Sequence, residues 1–324
     1  MKKSILNIIC AAFATGVLPA AAQDGPAFPV RPVRIVVGFP PGGGTDIVAR
    51  GVASRLTELW KQAVTVDNRP GAATIVATDL VARAPADGYT VLLASSSFAI
   101  NAAFGKKLPY DPLKDLAAVT QTAFQPYVIV VNPKVPARTV KELIALAQAR
   151  PGSLNYGSPG AGSGGNLAGE LFKLETRTQM EHVPYKGAAQ ALTDILSGQI
   201  QVMFPTILAV TGQIKSGGMR AIAVTSARRS SALPDLPTVS ESGVPGFEAA
   251  SWNGIMAPGA TPPAIIARLN RDMVQVIKSP EVRDMLAADG AEPMGNTAEE
   301  FGRHVRNEIQ KWTKVIAAAG IKPD

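Results

Sequence analysis

The chain has 324 residues, 32 basic and 25 acidic, with a single cysteine and two histidines. Cys10 lies in the N-terminal apolar run, and His182 and His304 are far apart, so disulfides, thiolate centres and histidine-based metal sites are excluded as organising features. Basic residues are dispersed among acids, with adjacent pairs such as Arg228-Arg229 but no longer basic run, and aromatics are sparse, which argues against a nucleic-acid surface.

At the N-terminus, Lys2 and Lys3 precede an apolar run of ~14 residues, too short to span a membrane, and Ala20 and Ala22 occupy the A-x-A positions. Residues 1–22 are therefore expected to be a secretory signal peptide. Its removal takes away Lys2 and Lys3, leaving 30 basic against 25 acidic residues and no cysteine. Roughly 300 mature residues exceed what one core usually organises, so two domains with a cleft between them are expected.

Short β-branched runs then alternate with amphipathic helical patterns, the mark of an α/β fold with largely parallel, doubly wound sheets. In chain order, 33–39 reads as a buried strand, 45–60 as a helix, 63–68 as a strand, 74–84 as a helix and 89–95 as a strand ending in Ser95, Ser96 and Ser97. The turn YDPLKD places Asp111 and Asp115 as caps. The pattern restarts with a strand at 127–133, a helix at 139–149, a short strand at 154–158, helices near 166–174 and 188–197, and strands near 200–204 and 220–225. Residues 234–263 are rich in Pro and Gly. Helices at 263–278 and 298–319 follow, the second opened by the capping box Thr297-x-x-Glu300 and expected to pack on the first domain. Crossings near 121–128 and 247–255 make a hinge between domain I, residues 23–123 plus 251–324, and domain II, residues 124–250.

Two glycine-rich loops carry the candidate chemistry. In FPPGGGTDIV (39–48) a strand ends, glycines allow close backbone approach, and Thr45 or Asp46 caps a helix whose first amides are unpaired and partly positive, an anion site. The loop lacks the lysine of a nucleotide-binding P-loop. In YGSPGAGSGGN (156–166), Ser158, Ser163 and Asn166 are donors. Gly160, Gly162 and Gly165 satisfy G-x-G-x-x-G only formally, because the preceding strand is short and polar. Neither serine lies in G-x-S-x-G, and His182 reads as a hydrogen-bonding residue; His304, on the polar face of the last helix, is expected to be solvated. A helix start contributes up to about 2 kcal/mol and a charge-assisted hydrogen bond about 1.5–3 kcal/mol, against the ~8 kcal/mol of micromolar affinity. One loop falls short of that, whereas two loops facing each other across a hinge reach it.

Nearly the whole mature chain, through RPVRIVVGFPPGGGTDIVAR, NRPGAATIVA, ADGYTVLLASSS, LNYGSPGAGSGGNLAGELF, VPYKGAAQALTDILSGQIQVMF and FEAASWNGIMAP, resembles the Bug family, the TctC-like solute-binding receptors of tripartite tricarboxylate transporters. The resemblance implies a type II periplasmic-binding-protein fold, no catalysis and no cofactor. It further implies a monomer in the periplasm that captures a small mono- or dicarboxylate for a membrane permease of two subunits. The site it implies comprises Phe39, Gly43, Gly44, Thr45, Asp46, Ser96, Ser97, Ser158, Ala161, Gly162 and Ser163, with Tyr185 and Pro205 in addition and Asp46 as the cap that orients its loop. Many members carry an acid after the Met-Phe that ends a strand of the second domain, where this chain has Pro205, which points to a ligand without an amine. A sensor that presents its ligand to a membrane signalling protein, or an exported enzyme acting on a small acid, are the competing readings.

Overall fold

The computed structural model describes residues 28–42, 44–105, 107–185, 187–288 and 290–321. The expected signal peptide, 1–22, and Gly43 lie outside them. Strand β1 (Val33–Val37) leads through the 38–42 turn into α1 (Gly44–Trp60). Then come β2 (Val64–Asn68), α2 (Ile75–Ala82), β3 (Thr90–Ser95), α3 (Ser96–Ala103), β4 (Leu116–Pro126), β5 (Val128–Val131) and α4 (Val140–Ala149). Next are β6 (Asn155–Ser158), α5 (Gly164–Thr176), β7 (Glu181–Pro184), α6 (Ala188–Ser197), β8 (Val202–Met203), α7 (Ile207–Lys215) and β9 (Arg220–Val224). The chain closes with β10 (Ala250–Pro258), α8 (Pro263–Ile277), α9 (Pro280–Ala288), β11 (Glu292–Pro293) and α10 (Ala298–Ala319).

These strands form two sheets of one plan. The first runs β2-β1-β3-β10-β4-β11, with β1 parallel to β2 and β3 and with β10 antiparallel to both its neighbours. The second runs β7-β6-β8-β5-β9, with β6 parallel to β7 and β8 and with β5 antiparallel to both its neighbours. In each sheet the antiparallel strand is the one the chain lays down after crossing from the other sheet. The strands at the two crossings, β4 and β10, pair along their full length, from Ala250 against Pro126 to Pro258 against Leu116, and form an antiparallel ribbon within the first sheet, where β10 also pairs with β3. The alternation read from the sequence therefore holds. What it did not contain are β4, β7, β11 and the helices α3, α7 and α9.

Burial explains the run-like strands. Val33, Ile35, Val36 and Val37 are all fully buried, as a parallel strand covered on both faces requires. Ile35 packs in a core with Val48, Val52 and Leu56 of α1 and Leu269 and Met273 of α8. Val36 faces a second core that continues through Ile129, Leu167 and Phe172 to Trp312. Helix α10 starts from the Thr297–Glu300 capping box and packs on α3 and β4, as expected for the first domain, but also on α5. His304 on this helix is not solvated as expected. Its ring is wedged against Trp252 and Phe301, at centroid separations of 5.5 and 6.5 Å, and burial lowers its basicity. Asp111 and Asp115 do cap their turn, accepting from the amides of Leu113 and Asp111 at 2.9 and 2.8 Å.

Candidate functional site

The carboxyl ends of β1 and β3 in one sheet and of β6 and β8 in the other are where each strand hands over to a helix start, the usual place for a ligand in open α/β sheets. After β1 the backbone turns at Gly38, where a Cβ would lie 2.6 Å from Cβ of Thr74, and at Gly42, whose φ is +86°. Asp46 is buried, and its carboxylate accepts from the Gly42 amide at 2.8 Å, Arg50 Nε at 2.9 Å and Asn68 Nδ2 at 2.9 Å. Asn68 also donates to the Phe39 carbonyl at 3.0 Å. Burial alone would raise the Asp46 carboxyl, but these three hydrogen bonds and the Arg50 charge outweigh it and bring the pKa to about 2. Asp46 thus ties the loop together with its acceptors already used. Thr45 Oγ1 accepts from Asn253 Nδ2 at 3.3 Å.

After β3, Ser95 caps α3 by accepting from the Ser97 amide at 3.3 Å, and Ser97 is half-buried. Ser96 is buried, its Oγ 3.2 Å from that of Ser251 on β10. The Tyr127 phenol, between β4 and β5, has Ser251 and Ser96 as hydrogen-bond neighbours; burial dominates and pushes it up to about 12.

After β6, Ser163 caps α5 by accepting from the Asn166 amide at 3.3 Å. Asn166 is structural. Its Oδ1 accepts from the Gly162 amide at 2.9 Å, and its Nδ2 donates to the Tyr156 hydroxyl at 2.7 Å, which in turn donates to Glu170. Gly162 has φ +72°, and a Cβ there would meet the Phe104 ring at 2.7 Å, so the loop containing Ala161 touches the end of α3. Tyr185 donates its hydroxyl to Asp194 at 2.7 Å. The Pro205 carbonyl accepts from the Val128 amide at 2.9 Å, and Thr206 then stands at the N-cap position of α7 without a side-chain cap hydrogen bond.

His182 Nε2 lies 2.7 Å from Ser158 Oγ, the spacing a hydrolase would use. The serine is buried, donates to the Gly160 carbonyl at 3.0 Å and accepts from the Gly160 amide at 3.3 Å. Ser158 Oγ is thus shared between its own turn and His182, and which of the two donates across the 2.7 Å contact depends on the imidazole tautomer. Among the described residues no group of three or more His, Cys, Asp or Glu side chains could hold a metal ion.

A cleft of about 510 Å³ opens between the first loop and the start of α7, bounded by Phe39, Gly44 and Thr45 on one wall and Thr206, Ile207 and Ala209 on the other, with Gln125 and Pro126 at the ribbon. The sequence-derived set therefore divides. Phe39, Gly44 and Thr45 bound this cleft, whereas Ser96 meets Ser251 beside Tyr127 and the 158–163 loop meets Phe104. Gln125, Thr206 and Ile207, and the polar Tyr127, Ser251 and Asn253, were not anticipated. Their only sequence signal was their position in or beside the two crossing segments and the Met-Phe strand end.

The model of the family described as tripartite tricarboxylate transporter family receptor matches residues 48–321. Protein BugT of Bordetella pertussis is 39% identical over 305 residues, 94% of this chain and 94% of that protein. Among solved structures, Rpa4515 of R. palustris with adipate superposes with a TM-score of 0.80 at 38% identity, covering 92% of this chain and all of that one. MatC from Rhodopseudomonas palustris with bound malate gives 0.75 at 29% identity, over 89% of this chain and 100% of that one. With two sheets of this plan and these relatives, the expected fold class holds, and the chain belongs to the tripartite tricarboxylate transporter receptor family, whose members are solute-binding receptors.

Proposed function

We propose that this receptor is exported with loss of residues 1–22 and, in the periplasm, closes two bodies, 23–123 plus 251–324 and 124–250, around a small amine-free carboxylate that it delivers to a two-subunit membrane permease. The observation that carries the reading is the cleft in which the start of α1 faces the start of α7 across the β4–β10 ribbon. Helix starts offer unpaired amides to a carboxylate without the desolvation cost of a buried cation. Adipate and malate in the two similar structures support the ligand class. Among the described residues no helix is long and apolar enough to cross a membrane, consistent with an exported receptor.

The absence of an amine follows from what the loops offer. Pro205 carries neither a charge nor an amide hydrogen, and Asp46 is already bonded to Gly42, Arg50 and Asn68. An ammonium group brought into the cleft would lose its hydration without a partner. The test is a thermal-shift screen of residues 23–324 with succinate, malate, adipate, terephthalate, citrate, aspartate and glutamate. A ligand at 100 times its Kd stabilises by about 2.7 kcal/mol. Amine-free acids should give the largest shifts; the largest shift from aspartate or glutamate would refute the assignment.

A further inference from the structure

The walls of this cleft are mainly apolar, and their polar side chains are few and uncharged. Phe39, Pro40, Pro41, Pro126, Ile207 and Ala209 make up most of its boundary, and none of the described residues lining it is charged. Three of these six are prolines, which offer no amide hydrogen. The polar side chains there are Thr45, already bonded to Asn253 at 3.3 Å, Thr206 and Gln125. The Gln125 amide nitrogen stands 4.0 Å from where a Gly44 Cβ would be, beside the start of α1.

Resting on the receptor reading above, we infer that the cleft selects a carboxylate with a hydrocarbon body and no more than two charges, and that it rejects tricarboxylates and polyhydroxylated acids, with Ile207 and Thr206 as specificity determinants and Gln125 as the side-chain donor that supplements the helix amides. A carboxylate at the start of α1 takes its hydrogen bonds from amides and Gln125, and the methylene or aromatic body then covers Phe39, the prolines and Ile207. A third carboxylate would lie against those apolar walls with neither a counter-charge nor a donor, and the hydroxyls of a polyol acid would be buried unpaired. The helix starts can serve the ends of an elongated molecule, while a polar body would find only the Gln125, Thr45 and Thr206 side chains and no charge among the described lining residues.

Isothermal titration of residues 23–324 with adipate, suberate and terephthalate against tartrate and citrate tests this. The hydrocarbon-bodied acids should bind at least tenfold more tightly than tartrate and at least a hundredfold more tightly than citrate. Ile207→Asn should narrow the adipate-to-tartrate ratio below about threefold. Because Ile207 is buried and that variant can fail to fold, Thr206→Lys, at a half-buried rim position, serves as the second probe and should raise citrate affinity about tenfold relative to adipate. Citrate or tartrate binding as tightly as adipate, or Thr206→Lys leaving the citrate-to-adipate ratio unchanged, would overturn the inference while leaving the receptor reading intact. Binding of no carboxylate at all would overturn the receptor reading, and this inference with it.

Discussion

The start of α5 rests directly on Tyr127, the residue between β4 and β5: a Cβ at Gly164 would lie 1.8 Å from the Tyr127 hydroxyl oxygen and 2.9 Å from the ring carbon that bears it. The same phenol has Ser96 and Ser251 from the first sheet's side as neighbours, so one side chain touches both halves of the molecule where the chain crosses between them. Gly164→Ala is expected to destabilise the fold by about 1–3 kcal/mol through overpacking. Adding Tyr127→Phe removes the closer of the two clashing atoms and should recover part of that loss. Urea denaturation of the two variants checks this, and wild-type stability in Gly164→Ala would contradict the contact.

Asp46 gives the loop before α1 a pH dependence of defined sign. Its pKa falls from an ordinary 3.8 to about 2, so its contribution is complete above the unfolded value and disappears as pH drops toward 2. With the carboxylate side chain 2% exposed, the shift corresponds to about 2 kcal/mol at neutral pH. Asp46→Asn should lower stability by that order at pH 7, flatten the stability profile between pH 4 and about 2, and weaken carboxylate binding because Gly42 loses its charged acceptor. Denaturation curves across that range, with calorimetry at pH 7, measure both effects.

Ala72, Ala73 and Thr74 all have left-handed backbones, with φ of 44°, 51° and 80°. The strained turn is held by Asn101 Nδ2 donating to the Ala73 carbonyl at 2.7 Å. Left-handed geometry costs a residue with a Cβ roughly 1–2 kcal/mol, and glycine's added chain entropy returns roughly half of that. Ala73→Gly should therefore stabilise the protein by about 0.5–1 kcal/mol, seen as a higher melting temperature. A lower one would mean that the alanine methyl makes packing contacts worth more than the strain.

Ser158 and His182 are placed as a nucleophile and its base would be, 2.7 Å apart, yet the serine is buried and its hydroxyl is bonded within its own turn to the Gly160 carbonyl and amide. A fluorophosphonate probe should leave Ser158 unlabelled. Ser158→Ala should cost about 1–2 kcal/mol, since Gly160 loses a donor and an acceptor in a buried turn. Labelling of Ser158 would revive the enzyme reading.

Part of the architecture was legible because a strand such as β1 is a run of β-branched residues buried along most of its length, with a glycine loop directly after it, as at Val33–Val37 before Gly42. Helix α10 was read to its terminal residues because its capping box and apolar period agree. Other parts were hidden for physical reasons. Helix α3 begins on the serines that end β3, so one short segment reads as strand and loop at once. Ser251 meets Ser96 and Asn253 meets Thr45 across 155 and 208 positions, separations that no local pattern spans. Ile207 and Thr206 open a helix after a strand of only two residues, too short to show a period. His304 follows the polar face of its own helix but is covered by Trp252 from a strand 52 positions earlier, which no local pattern contains.

The most direct measurement is a crystal structure of the receptor with whichever carboxylate stabilises it most in the thermal-shift screen. One carboxylate is expected within hydrogen-bond distance of the amides that open α1 and of Gln125, with the body of the ligand against Phe39 and Ile207 and the start of α7 closed over it. A ligand found instead in the outer cavity beside Arg220 and Leu233, with the cleft between Phe39 and Thr206 unoccupied, would contradict the account.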